Sequence, residues 1–293
     1  MDFTEKGATE AVVDSFRDTP DPRLKELAAS LVRHLHAFVR EVEPTMAEWE
    51  QAIGFLTRTG QMCDDNRQEF ILLSDVLGVS MLVETINSRK TAGAAPVTAS
   101  TVLGPFHLAD SPARELGARI DLAGGSRPCV VTGQVTSTTG AALAGASVDV
   151  WQCDERGFYD VQQPGKQPPG NGRGLFVTDG EGRFWFRTVV PSHYPIPTDG
   201  PVGELLAATR RHAYRPAHIH FIVSAPGHHP VTTHFFVGGS PYLDSDAVFA
   251  VKQSLVREFT EIDDAVRAES FGVTAPFRHA NADIVLQPMA EHR

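Results

Sequence analysis

The chain has 293 residues, 42% of them hydrophobic and 21% charged, which suits a soluble globular protein with room for one large domain or two unequal ones. A formal charge of −10 without basic runs argues against nucleic acid and against anionic membrane surfaces as partners. No apolar run reaches the roughly 18 residues that span a bilayer, and Met1–Lys6 lacks the basic and apolar regions of a signal peptide.

The first hundred residues read as helical. Pro22 fits a helix start, and Leu24, Leu27, Leu31, Leu35, Phe38 and Val42 recur at three-to-four spacing until Pro44. Thr45 and Glu48 form a capping-box signature for a second helix carrying Trp49, Ile53 and Leu56 on one face. A third run, Asp65 to Asn87, sets Phe70, Leu73, Leu77, Met81 and Val83 on a broad apolar surface, and Thr91–Pro96 reads as a linker. Beyond residue 100 short β-branched and aromatic runs alternate with glycine and proline: 129–135, 147–152, 174–178, 183–188, 217–224 and 231–237. Strands so spaced, without intervening helices, predict an antiparallel sandwich or barrel. Asp246–Phe259 reads as a late helix. The expected layout is α+β: a helical N-terminal domain with linker over 1–100, then an antiparallel β-sandwich catalytic domain over 101–293. Cys63, Cys129 and Cys153 are far apart, with no C-x-x-C, so neither a disulfide framework nor a thiolate zinc site is indicated and a reduced cytoplasm fits.

Seven of the twelve histidines (His193, His212, His218, His220, His228, His229, His234) lie between residues 193 and 234, a concentration that favours a site. His218-Ile219-His220 on a strand presents both imidazoles on one face, because strand side chains alternate with period two. His228-His229 before Pro230 reads as a solvated turn, and His193 and His212 lack a partner at ligand spacing. His234 suits a pocket or a packed core equally. Of the four tyrosines, Tyr159 ends the turn-like stretch that follows strand 148–151, and Tyr194 is held by the Pro195-Ile196-Pro197 run. A buried tyrosine ordinarily needs only a hydrogen bond. As a metal ligand it must become phenolate, against an ordinary pKa of about 10, which a hard trivalent cation can bring about. Two phenols and two imidazoles therefore point to iron(III). Arg215, held extended by Pro216 three residues before His218, is either a surface arginine or a fixed cation beside an anionic substrate.

Several segments together resemble the intradiol ring-cleavage dioxygenases, over residues 15–285: Val150-Trp151-Gln152, Gly157-Phe158-Tyr159-Asp160, Tyr194 to Pro201, Arg215-Pro216-Ala217-His218-Ile219-His220-Phe221 and Pro241-Tyr242-Leu243-Asp244-Ser245-Asp246. The resemblance implies one Fe(3+) per chain on Tyr159, Tyr194, His218 and His220, and an aromatic diol and O2 as substrates. It also implies that Tyr194 takes a proton from the incoming diol, that Arg215 stabilises developing negative charge, and that a homodimer forms through the N-terminal helices. Leu72 to Gly78, Asp199 to Leu206 and Thr233 to Val237 are similar to the hydroxyquinol-cleaving branch, whose product is 3-hydroxy-cis,cis-muconate (maleylacetate). That likeness puts Leu72, Asp75, Val102, Leu103, Gly104, Ile196, Pro197, Arg215, His234 and Val248 around the substrate, with Asp75 accepting the extra ring hydroxyl. Cleavage of catechol or chlorocatechol is the alternative. Gly238-Gly239-Ser240 departs from the Glu-Gly-Asp more usual in the family. Two other classes compete: a non-catalytic transthyretin-like binding module, suggested by Thr138 to Ala146, and a zinc hydrolase built on the His-x-His pair, which leaves the tyrosines unexplained. A cupin lacks its usual glutamate after that pair.

Overall fold

A computed structural model of the chain describes residues 3–64, 67–91 and 96–289. Asp65, where the third helical run was expected to begin, and residues 92–95 of the expected linker lie outside the described residues. The chain divides into two compact units, Met1–Arg58 and Thr59–Arg293.

The first unit is helical: α1 (Ala8–Asp14), α2 (Pro22–Val42) and most of α3 (Met46–Gln61). Asp21 caps α2 by accepting from Arg23 N, and Pro22 occupies the first turn, where its missing N–H costs nothing. At α3 the capping box forms as expected, with Thr45 N donating to Glu48 Oε2 (2.8 Å) and Glu48 N donating to Thr45 Oγ1 (3.3 Å). The apolar stripe of α2 remains in solvent, Leu24, Leu27, Leu31, Leu35 and Phe38 each being more than half exposed.

In the second unit the expected third helix is two helices, α4 (Glu69–Val76) and α5 (Val79–Thr91). The break is Gly78, whose φ of 72° is left-handed and cannot continue a helix. Val76 is buried at the end of α4, and Leu72 and Asp75 lie on the same buried face.

Two five-stranded sheets follow. One joins β10 (Thr260–Ile262), β11 (Phe277–Asn281), β1 (Pro128–Ser137) and β12 (Ile284–Leu286) in that order, with β4 (Arg183–Val189) on the other edge of β1. The other runs β3 (Arg173–Val177), β2 (Ser147–Trp151), β7 (His218–Ser224), β8 (Val231–Val237), β9 (Val256–Arg257). A two-stranded ladder pairs β5 (Tyr194–Pro195) with β6 (Tyr214–Arg215). The six strands read from the sequence are all present and pair antiparallel among themselves, but the sandwich is mixed: β1 pairs parallel with β11 and β12, and β8 with β9. Ile219, Phe221 and Val223 of β7 join the core between the sheets, where Phe221 meets Phe184 and Phe186 of β4 at ring separations of 6.2 and 6.4 Å. Period two therefore turns His218 and His220 to the opposite face.

Helices α6 (Pro201–Ala208) and α7 (Ala265–Phe271) complete the unit. The late helix expected over Asp246–Phe259 is absent: that stretch is a loop with one 3-10 turn (Gln253–Leu255) and β9. Asp246 accepts from the amides of Val248 and Ala250, and Phe249 takes a left-handed φ of 59°, so an α-helix cannot start there. His228 forms part of the turn between β7 and β8 and His229 follows it exposed, as read from the sequence.

If the turn at Gly78 is what separates α4 from α5, Gly78→Ala should cost about 1–2 kcal/mol, because any side chain is strained at this φ. A lowered melting temperature in calorimetry is the expected result, and an unchanged one refutes the assignment.

Candidate metal centre

The outer face of the second sheet carries a row set by register: Trp151 on β2 lies opposite His220 on β7, which lies opposite His234 on β8. The Trp151 indole stacks flat on the His220 ring (4.5 Å, 12°), and the His234 ring meets His220 edge-on at 4.2 Å. From the other side Gly104 closes on the same imidazole, so near that a Cβ there would lie 2.9 Å from His220 Cε1. His220 is thus fixed on three sides.

Two loops bring the phenols. Asp154 folds the stretch before Tyr159 by accepting from the amides of Arg156 and Phe158, and Asp160, directly after it, forms a buried ion pair with Arg173 (2.7 Å). Tyr194 is delivered by the β5–β6 ladder, in which it pairs with Arg215. The four donor atoms close a ring: Tyr159 Oη to Tyr194 Oη 3.2 Å, Tyr194 Oη to His218 Nε2 3.3 Å, His218 Nε2 to His220 Nε2 3.2 Å, and His220 Nε2 back to Tyr159 Oη 3.0 Å. Donors that share one ion at about 2.0–2.2 Å stand about 3 Å apart, so the ring fits a single metal. His218 Nδ1–H donates to the Pro216 carbonyl (2.7 Å), which leaves Nε2 with a lone pair for a ligand. His218, His220 and His234 by themselves also form a group able to hold a metal, with ligand atoms within 4.8 Å of one another.

All four side chains are buried, and burial governs their protonation. It pushes the Tyr159 phenol well above its ordinary pKa, with Tyr194 adding to the shift. Burial also raises Tyr194, against the opposing Arg215 charge. His218 is driven well below the usual imidazole range by burial and then Arg215, and His220 by burial and then its neighbour His234. The metal-free centre is two neutral phenols and two neutral imidazoles. Such a set accepts an ion strong enough to expel the phenol protons, and the imidazoles need lose none.

Arg215 is buried beside this ring. Its Nη1 donates to His218 Nε2 (3.3 Å) and Nη2 to His234 Nδ1 (3.4 Å), while Asp246 takes Nε (3.1 Å) and Nη2 (3.4 Å). The solvated-arginine reading of Arg215 is therefore excluded. His234 is fully buried, and among the described residues its Nε2 has no hydrogen-bond partner. Leu72, Ile196 and Val248 belong to one buried apolar cluster against which Val102 packs. Asp75 is buried near Arg215 and Asp246, and burial raises its carboxyl above the ordinary value. Among the described residues its Oδ1 has no hydrogen-bond partner. Leu103 is 45% exposed and Pro197 half-buried. His193 and His212 stand apart from the donor ring, flanking the stacked Tyr214–Tyr242 pair. Sequence reasoning missed Phe106, stacked on Tyr159 (4.5 Å), and gave Trp151 and Asp246 no role. The period-two position of Trp151, on the face opposite Val148 and Val150, was the available signal for it.

The chain matches known proteins along most of its length. The family described as "Dioxygenase" matches residues 104–288, and that described as "Catechol dioxygenase N terminus" matches residues 21–95. The chain is similar to a hydroxyquinol 1,2-dioxygenase of Rhizobium sp. (strain MTP-10005), 54% identical over 270 residues that cover 92% of this chain and 90% of the relative. A 6-chlorohydroxyquinol 1,2-dioxygenase of Cupriavidus pinatubonensis is 51% identical over 90% of this chain and 94% of its own. Among solved structures, hydroxyquinol 1,2-dioxygenase from Pseudomonas putida DLL-E4 superposes with a TM-score of 0.90 at 47% identity, covering 97% of this chain and 99% of that one. Catechol 1,2-dioxygenase from Acinetobacter radioresistens gives 0.86 at 28% identity, covering 98% and 94%.

The protonation states predict how the centre takes up metal. Loading should release about two protons per ion, both from phenols, so affinity should fall as pH falls and rise as pH rises. An indicator dye in weakly buffered solution measures the release. Loading without proton release would remove the tyrosines from the ligand set.

Proposed function

The chain belongs to the intradiol ring-cleavage dioxygenases, and from that premise we propose that it opens hydroxyquinol, 1,2,4-trihydroxybenzene, between its adjacent hydroxyls with O2, giving 3-hydroxy-cis,cis-muconate (maleylacetate). The observation that carries this reading is the ring of two buried phenols and two buried imidazoles at 3.0–3.3 Å. Tyr159, Tyr194, His218 and His220 would hold one Fe(3+) per chain, because a trivalent ion is what offsets the raised pKa of two desolvated phenols. Held there, the ion would supply redox-active Lewis acidity toward a diol and O2.

The remaining steps belong to the protein. Burial makes the Tyr194 oxygen basic, so it can take a proton from the incoming diol as it gives up its place. Arg215 has no freedom to swing away, and its Nη1 is aimed at the donor ring, where negative charge on the substrate develops. Leu72, Ile196 and Val248 offer apolar surface to the ring and exclude water. The free Oδ1 of Asp75 is suited to the third hydroxyl, and its burial makes the lack of that hydroxyl in catechol costly. Val102, Leu103, Gly104, Pro197 and His234 would complete the surroundings of the substrate.

The assembly in this reading is a homodimer. More than half of Leu24, Leu27, Leu31, Leu35 and Phe38 is exposed along one helix, a stripe that a second copy would cover. Among the described residues no helix is long and apolar enough to cross a membrane, and the three cysteines are free, which suits the cytoplasm.

Metal analysis, a visible spectrum and O2 uptake with hydroxyquinol and catechol test the reading together. Iron near one per chain, a visible charge-transfer band and faster turnover of hydroxyquinol are expected; a colourless protein that stays inert after iron(III) loading rules out the activity. His220→Ala should lose iron. Asp75→Ala should lower kcat/KM for hydroxyquinol by about ten- to a hundredfold while leaving catechol little changed. An equal loss on both substrates would remove Asp75 from substrate selection. Leu31→Glu should give a monomer in sedimentation analysis, and a dimer unaffected by it would place the interface elsewhere.

A further inference from the structure

Apart from Val248 in the pocket wall, the segment Tyr242–Phe249 takes no part in the proposed chemistry, yet it is held under strain at both ends. Tyr242 (φ 69°) and Phe249 (φ 59°) are both left-handed without being glycine, a conformation that persists only where the surroundings impose it. Between them lies Asp246, whose side chain is only 2% exposed and whose two carboxylate oxygens both serve as acceptors. Oδ1 takes Arg215 Nε (3.1 Å) and Val248 N (3.3 Å), and Oδ2 takes Arg215 Nη2 (3.4 Å) and Ala250 N (3.1 Å). The loop is fastened to the strand that carries Arg215, since Ala247 N donates to the Tyr214 carbonyl (3.1 Å).

We propose that Asp246 is the positioning residue of the active site: its carboxylate grips the Nε edge of Arg215, aims Nη1 at the donor ring, and through the Val248 amide sets the adjoining pocket wall at the same time. A guanidinium is planar, so fixing Nε and Nη2 on one carboxylate fixes the direction of the third nitrogen. That third nitrogen, Nη1, is the one that reaches His218. Among the described residues, Asp246 alone offers Arg215 a carboxylate within hydrogen-bond reach; His218 and His234 contribute rings that burial keeps neutral. The strain at residues 242 and 249 is then the cost of placing a carboxylate behind a buried arginine. The proposal rests on the reading of Arg215 as the group that stabilises substrate charge.

A double-mutant cycle between Asp246→Asn and Arg215→Ala tests it on the iron-loaded enzyme, with iron content and the visible band as controls. Asp246→Asn should keep iron and lose kcat at least thirtyfold, yet change kcat less than threefold in the Arg215→Ala background. A KM effect arising from Val248 should persist in both backgrounds. A second readout needs neither iron nor turnover: slow exchange of the Arg215 Nε–H, followed by 15N NMR in the iron-free protein, should be lost in Asp246→Asn. Equal kcat losses in both backgrounds, native kcat in Asp246→Asn, or unchanged exchange would overturn the proposal. If Asp246→Asn does not fold, Asp246→Glu replaces it in the cycle. The longer carboxylate displaces the guanidinium, so at least a tenfold kcat loss is expected with Arg215 present and none without it; equal losses again overturn it. Native kcat in Arg215→Ala alone would sink the catalytic reading of Arg215, separately from the exchange result.

Discussion

Desolvation of the four donors is the constraint on which the rest of this structure depends. Two phenols and two imidazoles have been taken out of water, and their oxygen and nitrogen atoms face one another. Burial alone would keep the phenols protonated and the imidazoles uncharged, a set with no net charge in which His220 Nδ1 has no partner among the described residues. The arrangement becomes favourable when a cation of high charge enters, and less so for one of low charge, because each phenol must lose its proton against a raised pKa. A site of imidazoles alone would suit zinc; the phenols shift the preference toward a harder, more highly charged ion.

Such a ring does not hold its shape unaided, and two buried ion pairs flank it. Arg173–Asp160 lies directly behind Tyr159, and Arg215–Asp246 lies beside Tyr194 and His218. Buried pairs add little net stability, because desolvating both charges offsets their attraction, although breaking one costs about 3–5 kcal/mol. Their value here is geometric. Asp160 follows Tyr159 in the chain, and Arg215 pairs with Tyr194 in the β5–β6 ladder, so each ion pair fixes a backbone segment that carries a phenol. Asp246 differs from Asp160 in gripping the arginine that reaches the candidate donor ring.

Local pattern was enough to read part of this. The His-x-His alternation, the capping box of α3, the start of α2 at Pro22 and the six strand runs are properties of neighbouring residues, and they appear where periodicity puts them. The division of the third helix depends on one left-handed glycine, which a helical apolar pattern conceals. The parallel pairing of β1 with β11 and β12 joins segments some 150 residues apart in the chain, beyond the reach of any local signal. Asp246–Phe259 misled for a related reason. Its spacing of apolar residues suits a helix, but the Asp246 carboxylate binds its own loop amides and a distant arginine. The row Trp151–His220–His234 likewise needs the register of three strands, which no single strand contains.

The division of labour between sheet and helix bears on selectivity. The sheet and its loops carry all four candidate metal donors, whereas the residue suited to a third hydroxyl, Asp75, sits on α4 just before the glycine turn. Leaving a buried acceptor without a donor costs about 1–3 kcal/mol. A ligand that brings a hydroxyl to Asp75 recovers that energy, and a ligand without one does not. Converted to a rate ratio, that difference amounts to roughly ten- to a hundredfold in kcat/KM. Since α4 supplies none of the metal donors, a change at Asp75 can alter substrate preference while the ring of phenols and imidazoles stays intact. In the proposed reading the reverse does not hold: a change in the ring would remove the chemistry for every substrate, because all of them would bind through the same adjacent pair of hydroxyls.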